Sequence, residues 1–169
     1  MKLNSLRDLL IENLQDLHSA ETQITKALPK MADAATNPSL KQAFETHLQQ
    51  TNQQVDRLER ILERMGHKSR GKKCKGMEGL LAEGSEIMEE NAASEVMDAA
   101  LIGAAQKVEH YEISGYGTAV AYAQLLGESE AVTLLQQTLS EEEQTDSRLS
   151  ALAEGNINET AANRSDKMR

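Results

Sequence analysis

Residues 104–117 read "AAQKVEHYEISGYG", and the position of the two inner glutamates decides what kind of fold surrounds them. Ile102, Ala105, Glu109, Glu112, Tyr116 and Ala119 follow at three- and four-residue steps, the spacing that keeps side chains on one helix face. Most of that stripe is small or apolar, so it is the face that should be dry. Burying an unpaired carboxylate there costs several kcal/mol. Glu109 and Glu112 therefore require partners from other helices.

Three other stretches break pattern at comparable depth. Residues 4–33 carry Leu6, Leu10, Leu14, Leu17, Ile24 and Leu28 in helical rhythm, interrupted by Glu21, with His18 one turn earlier. Residues 39–65 carry Leu40, Phe44, Val55, Leu58, Leu62 and Met65, interrupted at His47 and at Gln50 or Thr51. Residues 129–154 carry Leu135, Leu139 and Leu149, interrupted at Glu142 and Asp146. Folding the first hairpin about residue 36 sets Glu21 opposite position 51, beside His47 and Gln50. Folding the second about residues 127 and 128 pairs Glu112 with Glu143 and Glu109 with Asp146.

The composition agrees with an all-α chain. Among 169 residues there are Pro 2, Gly 10, Phe 1 and Trp 0, which favours helices and starves strands. Pro29 is expected to kink the last turn of the first helix, and Pro38 suits the opening of the second. "GHKSRGKKCKG" is a basic crossover, and "MEGLLAEGSEIMEENA" a short helix within it despite Gly79 and Gly84. The third long helix covers 94–126 with Ser94 as N-cap, and Gly127 marks the turn to the fourth. Two helical hairpins joined by a long crossover make a ferritin-like four-helix bundle. This gives one domain over residues 1–158, followed by a polar tail, 159–169, expected to be disordered. The whole stretch "GNINETAANRSDKMR" has little to bury.

Several classes are disfavoured. A formal net charge of -9 opposes nonspecific nucleic-acid binding. The start "MKLNSLRDLL" lacks the apolar run of a signal peptide or membrane span, and the single cysteine, Cys74, precludes an intramolecular disulfide. A cytoplasmic protein without nucleic-acid or membrane partners is expected. The lysines around Cys74 would lower its pKa and make it redox-sensitive, although a solvated loop is the simpler reading. The methionines read as core filler.

Carboxylates and a histidine gathered at one level repel unless a cation joins them. The set Glu21, His47, Gln50, Glu109, Glu112, Glu142 and Asp146 suits two metal ions, iron first and manganese second. "HLQQ" and "EHYE" each place two donors three residues apart on one face. His18, Glu143, Tyr116 and His110 stand at the margin of that set. His110 points about 100° from the ligand face, and Tyr116 serves either core packing or a hydrogen bond to a carboxylate.

At "DLHSAETQITKALPKMA", "AFETHLQQT", "KCKGMEGLLAEG", "DAALIGAAQKVEHYEISGYGT" and "TLSEEEQTDSRLSALA" the chain resembles the YciF/YciE family of ferritin-like bacterial stress proteins, over residues 3–158. The resemblance implies a ferritin-like bundle, a homodimer, a part in stress responses and a rubrerythrin-like di-metal centre acting on oxygen or peroxide. Carried over by position, it assigns metal ligation to Glu21, His47, Glu109, Glu112, Glu142 and Asp146. Two positions depart from the family's habit: Gln50 replaces a carboxylate, and His18 replaces a tyrosine. Gln50 opens the alternative of a non-enzymatic dimeric helical scaffold or interaction protein whose degenerate site holds one ion or none.

Overall fold

The computed structural model describes residues 3–166, with side chains through Arg164. Helix α1 spans Leu6–Ala34, α2 Pro38–Arg64, α3 Lys75–Glu89, α4 Ser94–Leu125 and α5 Ser129–Leu152; a π-helical segment, Ala153–Ile157, leads into α6, Asn158–Asp166. No strand occurs among the described residues.

Local chemistry sets these boundaries. Ser5 caps α1 by accepting from the Asp8 amide at 3.1 Å. Asn37 caps α2 through the amides of Ser39 and Leu40, with Pro38 in the first helical position. The long helices α2 and α4 stop at Gly66 (φ 76) and Gly127 (φ 71). There the amides of His67 and Glu128 turn back onto Leu62 and Ala123, at 2.9 and 3.0 Å. This closure requires left-handed backbone that glycine adopts without a Cβ penalty.

Two expectations are corrected, at the start of α4 and at the C-terminal segment. Ala93 is the N-cap of α4, and Ser94, already helical, donates to Glu95 instead. Helix α1 includes Pro29 and continues to Ala34, since proline removes one intrahelical bond while the buried Met31 and Ala32 hold the last turn. The segment from Gly155, expected to be loose, is helical through Asp166. Ala153 and Ile157 enter the core there, and Arg164 pairs with Glu95 at 2.6 Å. The last three residues of the expected tail lie outside the described residues.

The hairpins α1–α2 and α4–α5 pack so that α1 also borders α4 and α2 borders α5. Cross-links fix the directions: Asp98 accepts from Thr36 and Asn37 at one end of α1 and α4, and Tyr116 reaches Glu21 at mid-height. Thus α1 and α4 run antiparallel, and the crossover carries the chain back along the bundle through α3, which lies on α1 and α4. The fold is the ferritin-like four-helix bundle that the sequence predicts. None of its described helices is long and apolar enough to cross a membrane.

The core is in two parts. One cluster gathers Ile24, Leu28, Leu40, Phe44, Leu101 and Leu149; the other gathers Leu10, Leu14, Leu58, Leu62, Ala123 and Leu135. Between them lie Glu21, His47, Thr51, Gln54, Glu109, Glu112 and Glu142, all buried. Apolar burial on both sides stabilises the helices strongly enough to hold a polar layer that would not form alone.

Candidate metal centre

Four helices each supply part of this layer. His47 from α2, Glu109 and Glu112 from α4 and Glu142 from α5 each present a ligating atom, all within 4.8 Å of one another. Glu21 from α1 is fully buried beside them and accepts a hydrogen bond from the Tyr116 phenol. His47 Nε2 lies 3.2 Å from Glu109 Oε1 and 3.8 Å from Glu142 Oε2, near enough for charge attraction but without hydrogen-bond alignment. Its other ring nitrogen, Nδ1, faces Thr145 Oγ1 at 3.5 Å. Thr145 already donates to the Glu141 carbonyl at 3.0 Å. Its oxygen is therefore left to accept from Nδ1–H, a weak contact that turns Nε2 toward the carboxylates.

Buried polar atoms without partners concentrate here: Glu21 Oε2, His47 Nε2, Glu109 Oε2, both oxygens of Glu112 and Glu142 Oε2. Such atoms are normally satisfied, because each lost partner costs about 1–3 kcal/mol. The electrostatics carry the same strain. Burial pushes the Glu21 carboxyl up to about 7, against the lowering effect of Tyr116. Burial, then the neighbouring charges of Glu21, Glu142 and Glu109, holds Glu112 well above the ordinary carboxylate range. Glu142 is raised in the same way, by burial first and then by Glu21 and Glu109. Burial alone would lower His47, but Glu109 first, and then Glu21 and Gln50, together outweigh it and raise the imidazole. Oxygen and imidazole donors of this kind suit a divalent transition metal, so the cluster could hold a metal ion.

The sequence-derived residues divide sharply. Glu21, His47, Glu109, Glu112 and Glu142 come together. Gln50 stands half-buried beside His47 and bonds its side chain. Asp146 turns away: it accepts from Gln106 at 3.1 Å and pairs with His110 at 3.2 Å. Glu143 is exposed, because one step along α5 rotates a side chain about 100° and leaves Glu142 as the inward group. His18 pairs outward with Glu59 at 3.0 Å. His110 is itself exposed, consistent with its rotation from Glu109. Tyr116 both packs in the core and bonds a carboxylate.

Gln54 is the residue the sequence reading missed. It is fully buried and donates from Nε2 to Glu142 Oε1 and, at 3.1 Å, to Glu141 Oε2. The signal was the series His47, Thr51, Gln54, Leu58, a regular helical stripe hidden when Val55 is placed inside instead. Cys74 corrects another expectation. It is buried as the N-cap of α3, with Sγ 3.1 Å from Asp16 Oδ2 and 3.0 Å from the Tyr111 hydroxyl. Burial raises its thiol pKa, and the neighbouring Asp16 adds to the rise; the surrounding lysines do not activate it.

Two antiparallel hairpins closed around a mid-height carboxylate and imidazole layer define a ferritin-like helical protein with a candidate metal centre. The chain belongs to the family described as "Domain of unknown function (DUF892)", which matches residues 5–162. It is similar to Protein YciF of Escherichia coli (strain K12), with 46% identity over 165 residues, 97% of this chain and 99% of that protein. The crystal structure of the E. coli stress protein YciF has a TM-score of 0.88 to this chain, covering 92% of it and 98% of its own length at 46% identity. YcfI from Rhodopseudomonas palustris follows the same path with a TM-score of 0.85 and 42% identity, covering 88% of this chain and 95% of its own. A Xanthomonas campestris protein at 22% identity shares the fold, with a TM-score of 0.75. The resemblance to the YciF/YciE family read from the sequence is borne out.

Proposed function

We propose that this chain is a stress-response protein whose mid-bundle layer binds two metal ions, iron ahead of manganese, and oxidises Fe(II) or consumes dioxygen or peroxide. The observation that carries this reading is the concentration of buried, unpartnered carboxylate oxygens and one imidazole nitrogen between two apolar core clusters. Similarity to a protein described as a stress protein supports the biological setting.

His47 Nε2, Glu109, Glu112 and Glu142 would form the principal shell, with Glu21 extending it toward a second ion. Such ions supply Lewis acidity and one-electron redox chemistry. The protein's own groups prepare the site. Thr145 orients His47, Tyr116 orients Glu21, and the protonated carboxyls release protons as cations enter. The cytoplasmic setting and the homodimer implied by family resemblance belong to the same proposal; light scattering in solution would give twice the chain mass.

A second reading, a non-enzymatic scaffold or interaction protein holding one ion or none, draws on two observations: Tyr116 occupies one oxygen of Glu21, and Asp146 faces His110 instead of the cluster. Metal analysis of protein purified without chelator, followed by anaerobic Fe(II) loading and peroxide addition, separates the readings. The di-metal reading gives two ions per chain and a rise in ferric absorbance. One redox-silent ion, or no retained or acquired metal, contradicts the di-metal reading and favours the scaffold.

A further inference from the structure

We infer that Gln54 is a positioning residue of the metal centre, a clamp that restricts Glu142 to offering a cation a single oxygen. The inference rests on the metal reading above and concerns a residue outside the donor set. The Gln54 amide nitrogen donates to Glu142 Oε1, leaving Glu142 Oε2 unpartnered and 3.8 Å from His47 Nε2. One oxygen is thus occupied by the protein, and the other faces the histidine that shares the shell.

The clamp is itself anchored. Gln54 Nε2 also donates to Glu141 Oε2 at 3.1 Å. Arg57 holds Glu141 with two hydrogen bonds, 2.6 and 2.8 Å, and donates to Thr138 at 3.1 Å. The side chains of Arg57 and Glu141 are only 12% and 17% exposed, so their fork-shaped pairing is well shielded from water. It offsets the charge of Glu141 and holds that carboxylate where it accepts from Gln54. Gln54 must be an amide for this task. A carboxylate at that position would face two others, and an apolar group would free Glu142 to rotate or to chelate through both oxygens.

Mn(II) serves as the probe, with affinity read by titration and ligand geometry by electron paramagnetic resonance. Gln54→Leu, close in volume, is expected to weaken Mn(II) binding about tenfold or more, as loss of a ligand-orienting partner does, and to change the Mn(II) spectrum. Arg57→Met, which leaves the amide in place but releases its anchor, should shift affinity in the same direction by less. In a Glu142→Ala background, Gln54→Leu should have no further effect, since the clamp acts through Glu142. A merely structural Gln54 would lower thermal stability while the folded variant kept wild-type affinity and spectrum, and that result overturns the inference. A wild-type chain that takes up no Mn(II) overturns the metal reading and the clamp with it. If Gln54→Leu does not fold, unchanged affinity and spectrum in Arg57→Met give the contradicting result.

Discussion

At the scale of single residues, position on a helix face decides role more than chemical type does. Cys74 sits in a lysine-rich segment yet is 1% exposed and adjoins Asp16, so its thiolate is disfavoured twice, by burial and by a like charge. Native protein at pH 8 should therefore react slowly with a thiol reagent, and at least about tenfold faster after denaturation; equal rates would contradict the buried placement. Charge counted along the sequence could not reveal this, because the lysines point outward while the thiol turns inward to cap α3. Glu21, His47, Glu109, Glu112 and Glu142 were legible because each breaks an apolar stripe. Glu143 is separated from Glu142 by a rotation of about 100° per residue, whereas Asp146, one turn on and nearly on the same face, is taken up by Gln106 and His110, partners that the spacing of α5 alone could not reveal.

At the scale of elements, α3 and the crossover show how glycines fix a helix in place. A Cβ on Gly76 would stand 2.7 Å from the Tyr111 ring, whereas one on Gly79 would meet nothing within 4 Å. Gly76→Ala should destabilise the protein by about 1–3 kcal/mol by displacing Tyr111. Gly79→Ala, at an exposed site inside α3, should stabilise it by about 0.5–1 kcal/mol. Thermal unfolding of the two variants would give opposite shifts; a shared sign would contradict the packing of α3 on α4. Both glycines look alike in sequence, and only the approach of another helix distinguishes them. The long helices were readable from periodicity and from their stop signals at Gly66 and Gly127. Helix α6 was not, because its residues are polar or small and make no periodic stripe, and its apolar anchors, Ala153 and Ile157, stand in the π-helical segment before it.

At the scale of the whole molecule, the bundle is two apolar clusters separated by a charged layer, and the layer makes metal-free stability depend on pH. Glu21, at about 7 in the folded chain against an ordinary 4.5, keeps a proton that the unfolded chain has released. Glu112 and Glu142 are raised in the same direction. The folded state then binds more protons than the unfolded one, so stability is fully present below about pH 4.5 and falls as pH rises through 7. Glu21 alone contributes a loss of about 3 kcal/mol across that window. His47, also raised, adds to the fall near and above neutrality. Glu141, lowered overall because Arg57 and Gln54 offset its burial, acts oppositely at lower pH. Metal-free protein should therefore unfold at lower denaturant concentration at pH 8 than at pH 5.5, and saturating Mn(II) should remove or reverse that difference. A metal-free stability that rises from pH 5.5 to 8 would contradict the protonated layer.

Manganese-soaked crystals, measured on both sides of the manganese absorption edge, test the central claim most directly. The predicted result is an anomalous peak bounded by His47 Nε2 and the carboxylates of Glu109, Glu112 and Glu142, with a second peak beside Glu21 if the site holds two ions. Crystals that show manganese only at surface carboxylates, or none, with His47 and the three glutamates unmoved, would contradict a metal centre in this bundle.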